Sequence, residues 1–347
     1  MQILIVSNTI ISKKLSEYLA LNKNDIVFST ADKNEYDNFV SVHLTSIKEI
    51  EDFISANDVS LGIFFNDTVK NLRDDFLNRS ECPILFFSNG ADFSLAQIKK
   101  FIYKNKIKTP KFGVFEKTAP ALEYVQNSTC PVIISSDTDY DKQGFFIADT
   151  KDKAKDKIEK LFEAGNRKIL LQDYIEGIDY NKYLISDGVN IFDFFETISY
   201  FDEFSLNDTN FIKDDIKSKI KNEFMPDILN SFLENNFEFQ GIIGLKFLIS
   251  TKDEIYLNRI ENFVSESDFE ILKNTLDVDL KNLLIDITSE NLSQDKIIFN
   301  DKNSIGANIQ GEYTGVCANT LNRAIELIEI EGFNKKSLDE GLKLWKR

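Results

Sequence analysis

The 347-residue chain has 14 glycines, and none precedes Gly62. It has a single histidine and three cysteines. Each scarcity excludes something. One histidine, His43 in the strand-like run 40–44, argues against a histidine-built metal centre or a Ser-His-Asp triad. Cys82, Cys130 and Cys317 are odd in number and far apart, so reduced thiols are expected, not a zinc site or a disulfide framework. No apolar run approaches the roughly 20 residues that span a bilayer. The opening residues 1–7 have no basic stretch ahead of their apolar run, so a secretory signal is not expected. Positive charge is also short: 41 Lys and Arg against 57 Asp and Glu leave a net charge of −16. Such a surface repels phosphate backbones. These features predict a cytoplasmic protein with neither nucleic acid nor membrane as partner, either a monomer or a homodimer.

What is present is a folded chain of two or three packed units, with 42% hydrophobic residues spread among the charges. Strand-like and helix-like runs alternate over the first ninety residues. Strands are expected at 2–6, 25–29, 60–65 and 83–87, with helices near 11–21, 46–56 and 69–78. Near-continuous apolar strands in this order predict a doubly wound α/β domain with a parallel sheet. The first strand-to-helix turn is residues 7–12. In a dinucleotide-binding unit that turn carries glycines, so that backbone N–H groups approach phosphates. Here bulky side chains fill it.

A helix over about 93–106 leads to a second αβ unit. Its strands are expected at 113–115, 130–135, 144–148 and 168–173, with helices opened by Pro120 and over 152–164. The loop 136–143 is rich in turn residues and acid. Next, two strand-like runs flank Asp187-Gly188, a strong hairpin signal. A single long helix is expected over 214–234, two strands over 241–250 and 254–261, and helices over 268–276 and 279–289. The tail from about Asp295 shows short strands and a final helix near 321–330. The order predicts two lobes clasping a ligand between sheets.

Several phrases then resemble the phosphoribosylamine–glycine ligase family of the ATP-grasp superfamily. The run from Phe93 to Pro110 is similar to the family helix that ends in a tight turn. Cys130 to Asp137 resembles its lysine-delivering strand, Leu171 to Gly177 its hinge, and Phe239 to Leu245 its glycine-bearing strand. The helix Asp279 to Asp286 and the turn Gly311 to Gly315 resemble later parts. The resemblance implies an N-terminal domain over 1–91, an ATP-grasp domain over 92–290 with a small lobe at about 112–175, and a shortened C-terminal domain over 291–347.

The resemblance further implies ATP and Mg²⁺ as cofactors. Nucleotide contacts fall on Lys142, Gln143, Gln172, Asp173, Tyr174, Ile175 and Asp179, with hinge backbone groups facing the adenine and Asp179 the ribose. A metal ligand falls on Glu261. The departures lie in the chemistry of phosphate transfer, which depends on cations and Mg²⁺ around the transferred group. The family's strand lysine becomes Ser135. Its glycine-rich loop becomes 138–144, with acidic Asp139 and Asp141. Its two metal-strand positions become Arg259 and Glu261, two apart and so on one face. Arg259 cannot deprotonate, whereas Mg²⁺ requires oxygen ligands. An ion pair between Arg259 and Glu261 is expected instead. The substrate segments over 197–203 and 206–211 lack the family's cations and glycines. The preferred expectation is a non-catalytic relative that does not take up Mg·ATP. The alternatives are an active carbon–nitrogen ligase making glycinamide ribonucleotide, or an ATP-grasp ligase with other substrates that uses Lys142.

Overall fold

The structure is a computed structural model. It describes residues 1–345 except 8, 34–36, 66–81, 88–93, 138–144, 202, 236 and 238. The helix expected over 69–78 therefore lies outside the described residues.

The first unit is a five-stranded sheet of β1 (Gln2–Val6), β2 (Ile26–Ser29), β3 (Val40–Ser41), β4 (Leu61–Phe65) and β5 (Ile84–Phe87). The order is β3-β2-β1-β4-β5, and every pair is parallel. β1 and β4 are buried on both faces, as their unbroken apolar sequences require. Within the run 40–44, Val40 and Ser41 form β3, the Val42 N–H donates to Ser29 O at 2.8 Å, and His43 is exposed. The flanking helices are α1 (Ile10–Leu19) and α2 (Ile47–Ala56). Both start with a side-chain cap, Thr9 with Ser12 and Ser46 with Glu49.

After α3 (Leu95–Lys104) comes the small lobe. It comprises β6 (Phe112–Phe115), α4 (Thr118–Asn127), β7 (Val132–Ser136), β8 (Phe145–Ala148), α5 (Lys151–Glu163) and β9 (Ile169–Asp173). Its strands form an antiparallel sheet in the order β6-β9-β7-β8. Strand periodicity decides which face each side chain takes. Val132 and Ile134 pack with Ala121, Val125, Ala154 and Ile158 of the two helices. Ile133 and Ser135 therefore face the opposite way.

The largest sheet has seven strands: β10 (Gly177–Asp187), β11 (Ile191–Tyr200), β12 (Phe204–Leu206), β13 (Gln240–Ser250), β14 (Ile255–Glu261), β15 (Asn303–Ile309) and β16 (Glu312–Ala318). They run in the order β14-β13-β10-β11-β12-β15-β16. In the β10–β11 turn, Gly188 adopts φ +95 and the Asp187 carboxylate accepts from the N–H groups of Val189 and Asn190 at 3.0 and 2.7 Å.

Two expectations are corrected here. The helix over 214–234 is not uniform. It runs as α6 (Asp214–Lys219), a π turn over Ile220–Phe224 and α7 (Met225–Glu234). Pro226, which has no N–H to donate, sits at the junction. The tail also does not end with the helix near 321–330. After α8 (Glu266–Thr275), α9 (Leu280–Thr288) and α10 (Leu321–Ile330) comes α11 (Lys335–Trp345). α11 buries Leu338 and Trp345, with the Trp345 ring 5.3 Å from that of Phe204. β15 and β16 extend the large sheet through β12. The N-terminal sheet is held against the large one by a shared core in which Ile3, Leu85 and Phe87 meet Tyr183, Ile185, Ile242 and Phe263.

Candidate nucleotide cleft

Between the small-lobe sheet and the large sheet lies a cleft that opens to solvent. The small lobe contributes Ile133 and Ser135 from β7, Phe145 and Ile147 from β8, and Leu170 and Gln172 from β9. Four of these six, Ile133, Phe145, Ile147 and Leu170, are apolar. The hinge that joins the lobes contributes Tyr174, Ile175 and Gly177, and β10 adds Asp179 and Asn181. The far wall consists of Lys99 from α3, Lys246 and Leu248 from β13, and Asn258 and Arg259 from β14.

The position of Asn258 and Arg259 depends on a bulge. Lys246 pairs with Arg259 and Phe247 with Leu257, so Asn258 is an extra residue in β14. Leu257 and Ile260 both enter the core, and the two residues between them both reach the cleft. Regular alternation would have separated them.

Lys246 and Arg259 are thus two cations directly opposite each other on neighbouring strands, an arrangement that costs stability unless it is countered. Glu261 counters it. Its Oε1 lies 3.1 Å from Arg259 Nε, as a charge contact and not an aligned hydrogen bond, and its Oε2 lies 3.4 Å from Lys246 Nζ. Lys246 Nζ is also 3.3 Å from Oδ2 of Asp268, which is fully buried. That oxygen further accepts from Tyr183 Oη at 2.5 Å, Ser265 Oγ at 2.7 Å and Asn181 Nδ2 at 3.2 Å. Burial first, and then the Asp268 charge, push the Tyr183 hydroxyl far above its usual range, so it stays a donor.

Lys99 is 1% exposed, and its Nζ bonds two neutral oxygens, Thr109 Oγ1 at 3.1 Å and Asn258 Oδ1 at 2.9 Å. Burial, with the nearby Arg259 charge second, holds its amine well below the usual lysine range. Asn258 Oδ1 also accepts from Gln172 Nε2 at 3.2 Å, which ties hinge, helix and strand together.

Of the residues singled out by sequence, Gln172, Tyr174, Ile175 and Asp179 line the cleft. Lys142 and Gln143 lie outside the described residues. Asp173 does not line the cleft. Its N–H donates to Lys111 O at 2.9 Å, and its charge faces Tyr124, whose hydroxyl is pushed up to about 12, by burial first and by Asp173 second. The Tyr174 N–H is directed at Pro131 O, 3.4 Å away. The hinge donors expected from Asp173 and Tyr174 are therefore spent inside the protein. Glu261 sits behind the cleft wall, beside Arg259. Sequence reasoning did not single out Lys99, Lys246 or Asn258. The only signal for Lys246 is its place as a lone cation between core residues Leu245 and Phe247 on a strand.

The residues present do not fit the Mg²⁺ that such a fold implies. Asp179 is the only carboxylate lining the described cleft, against three cations. Among the described residues, no group of three or more His, Cys, Asp or Glu side chains is placed to hold a metal ion.

Residues 94–201 match the family model of the phosphoribosylglycinamide synthetase ATP-grasp (A) domain. The chain is a relative of the ATP-grasp ligases of purine biosynthesis. It is 22% identical to the phosphoribosylamine–glycine ligase of Clostridium acetobutylicum over 298 residues, covering 79% of this chain and 70% of that enzyme. The corresponding Pseudomonas syringae pv. tomato enzyme is covered over only 37% of its length. The solved phosphoribosylamine–glycine ligase of Thermotoga maritima superposes with a TM-score of 0.70 at 13% identity, over 95% of this chain and 96% of that one. N5-carboxyaminoimidazole synthase of Aspergillus clavatus, solved with ADP and 5-aminoimidazole ribonucleotide, gives 0.71 at 11% identity, over 98% of each chain. In this ATP-grasp frame, described N–H groups of Ser7, Thr9 and Ser12 are met within the chain. The Ser12 N–H donates to Thr9 Oγ1 at 3.2 Å, the Thr9 N–H to Ser12 Oγ at 3.1 Å and the Ser7 N–H to Thr30 Oγ1 at 2.8 Å. Donors at the start of α1 that could meet an anion are met by the chain's own hydroxyls.

Proposed function

We propose that this protein is a cytoplasmic, nucleotide-binding relative of the phosphoribosylamine–glycine ligases that does not carry out the ligation. The observation that carries this reading is the opposed pair Lys246 and Arg259, bridged by Glu261, on the wall where an ATP-grasp ligase needs carboxylates for Mg²⁺. A neutral Ser135 where the resemblance places a lysine supports it further. Phosphoryl transfer needs charge neutralisation at the transferred group, and fixed cations paired to a carboxylate cannot supply a bridging metal. The apolar small-lobe wall and the hinge at Tyr174 and Ile175 support binding of a purine ring, with Asp179 beside the ribose.

The match over 94–201 favours the second reading, an active carbon–nitrogen ligase. ADP release in the presence of phosphoribosylamine, glycine and Mg·ATP separates the two. No turnover at micromolar enzyme is expected, and steady ADP production dependent on both substrates would reject the non-catalytic reading.

A further inference from the structure

The large sheet borders a second cavity, on the face opposite the nucleotide cleft. Along β10 and β13, Asp179 pairs with Leu248 and both line the cleft, whereas the preceding pair, Ile178 and Ile249, lines the other cavity. Strand alternation thus puts the two cavities on opposite faces of one strand pair. Gly177 and Leu344 border both. The second cavity holds about 300 Å³. Its apolar wall is Ile178 and Ile249, Phe211 from the turn Thr209–Phe211, Ile216 from α6, and Leu344 and Trp345 from the last turn of α11. The polar groups of the lining have donors to spare. Trp345 is 3% exposed, and among the described residues its Nε1 has no hydrogen-bond partner. Ser250, also buried in the lining, accepts at Oγ from the N–H groups of Lys252 and Glu254 at 3.2 and 3.1 Å, which leaves its own hydrogen to donate. A buried donor without an acceptor is costly, so the cavity favours a guest that brings one. The rim is acidic: Glu176 and Asp253 stand with the single cation Lys213, whose Nζ lies 2.6 Å from Asp253 Oδ2. That excess of negative charge disfavours a carboxylate or phosphate as the acceptor.

We propose that this cavity is a second small-molecule site, for an uncharged compound of two fused rings carrying one carbonyl or ring-nitrogen acceptor. Apolar walls with a few convergent polar groups are the usual build of such sites. A cavity of about 150 Å³ takes benzene, so this one has room for two rings. The acceptor takes the indole N–H of Trp345, and the rings pack against Ile178, Ile216 and Ile249. Occupancy of this face needs neither ATP nor Mg²⁺, so the inference stands apart from the nucleotide reading.

Trp345 is the only tryptophan in the chain, so its indole N–H gives a single resonance in the ¹H–¹⁵N spectrum of the full chain. Titration with 1-indanone, an uncharged two-ring ketone, is expected to move that resonance downfield and to saturate. Indane, which has the same rings and no carbonyl, is expected to bind about fivefold more weakly, the worth of one neutral hydrogen bond. The anion indane-1-carboxylate is also expected to bind more weakly than the ketone. Nuclear Overhauser contacts from bound 1-indanone should reach the methyl groups of Ile178, Ile216 and Ile249. Ile178→Phe, which fills part of the cavity, should weaken binding of the ketone at an unchanged melting temperature. If that variant unfolds, the methyl contacts in the wild type decide in its place. No saturable shift at millimolar 1-indanone, indane or the carboxylate binding as tightly as the ketone, binding indifferent to a folded Ile178→Phe, or contacts to the cleft methyls of Ile133 and Ile147 instead would each overturn the proposal.

Discussion

Arg259 Nε lies 3.1 Å from Glu261 Oε1, two residues along the same strand, and the arginine alone of the pair lines the cleft. One substitution converts this pair into two carboxylates on one strand face. In Arg259→Glu, two acidic side chains share that face, with Lys246 Nζ 3.4 Å from Glu261 Oε2. Mg²⁺ should therefore stabilise the variant but not the wild type. At ten times the dissociation constant the gain is about 1.4 kcal/mol, readable as a rise in melting temperature. An equal response of the two proteins to MgCl₂ would show that charge at position 259 does not govern metal uptake.

Lys99 has an ammonium group buried without a carboxylate, and its amine is held well below its usual range by burial and, second, by Arg259. Unfolded lysine titrates near about 10.4. Between the depressed folded value and that point, the unfolded chain holds a proton that the folded chain has released. Stability therefore rises with pH across the window. Lys99→Met removes this contribution and keeps most of the volume. Urea unfolding from about pH 8 to about pH 10 should show a steeper gain for wild type than for the variant. Parallel profiles would mean that Lys99 stays fully charged in the fold.

The lobes were legible in the sequence because each rests on a local signal: apolar runs for β1 and β4, and Asp187-Gly188 for the β10–β11 turn. The cleft wall was only half legible. Arg259 and Glu261 share a face by simple alternation, but Asn258 joins Arg259 only through a bulge whose pairing partner lies on another strand. Lys99 reads as one of many helix-surface lysines, and its burial comes from β14 packing against α3. α11 was missed because its apolar residues are sparse and include Gly341, whose lack of a side chain lets the helix approach Phe204. An added Cβ would come within 2.7 Å of that ring.

Asp25, just ahead of β2, ties the N-terminal sheet to α9. Its Oδ2 lies 2.5 Å from Lys281 Nζ and its Oδ1 lies 3.1 Å from the N-terminal amine. Burial opposes its ionisation, but the two ammonium groups outweigh it and hold the carboxyl below its usual range. A depressed folded value means stability that is present above the unfolded pKa, about 3.9, and lost as pH falls through the folded one. Asp25→Asn should be less stable than wild type near neutrality, and the gap should close on acidification below about pH 4. A gap constant with pH would assign the loss to packing instead of charge.

Asp268 is the hub beneath the cleft wall, with Tyr183, Ser265, Asn181 and Lys246 all directed at one oxygen. Asp268→Asn removes one of the carboxylates beside Lys246 and replaces an acceptor-only group by one that also donates. Breaking a buried pair in this way costs about 3–5 kcal/mol. Lys246→Met alone strands the Asp268 charge among neutral donors and should also be costly. If the two charges act as a pair, the double variant should lose less stability than the sum of the singles, by about 0.5–3 kcal/mol in a double-mutant cycle. Strict additivity would mean that Lys246 is held by Glu261 and not by Asp268.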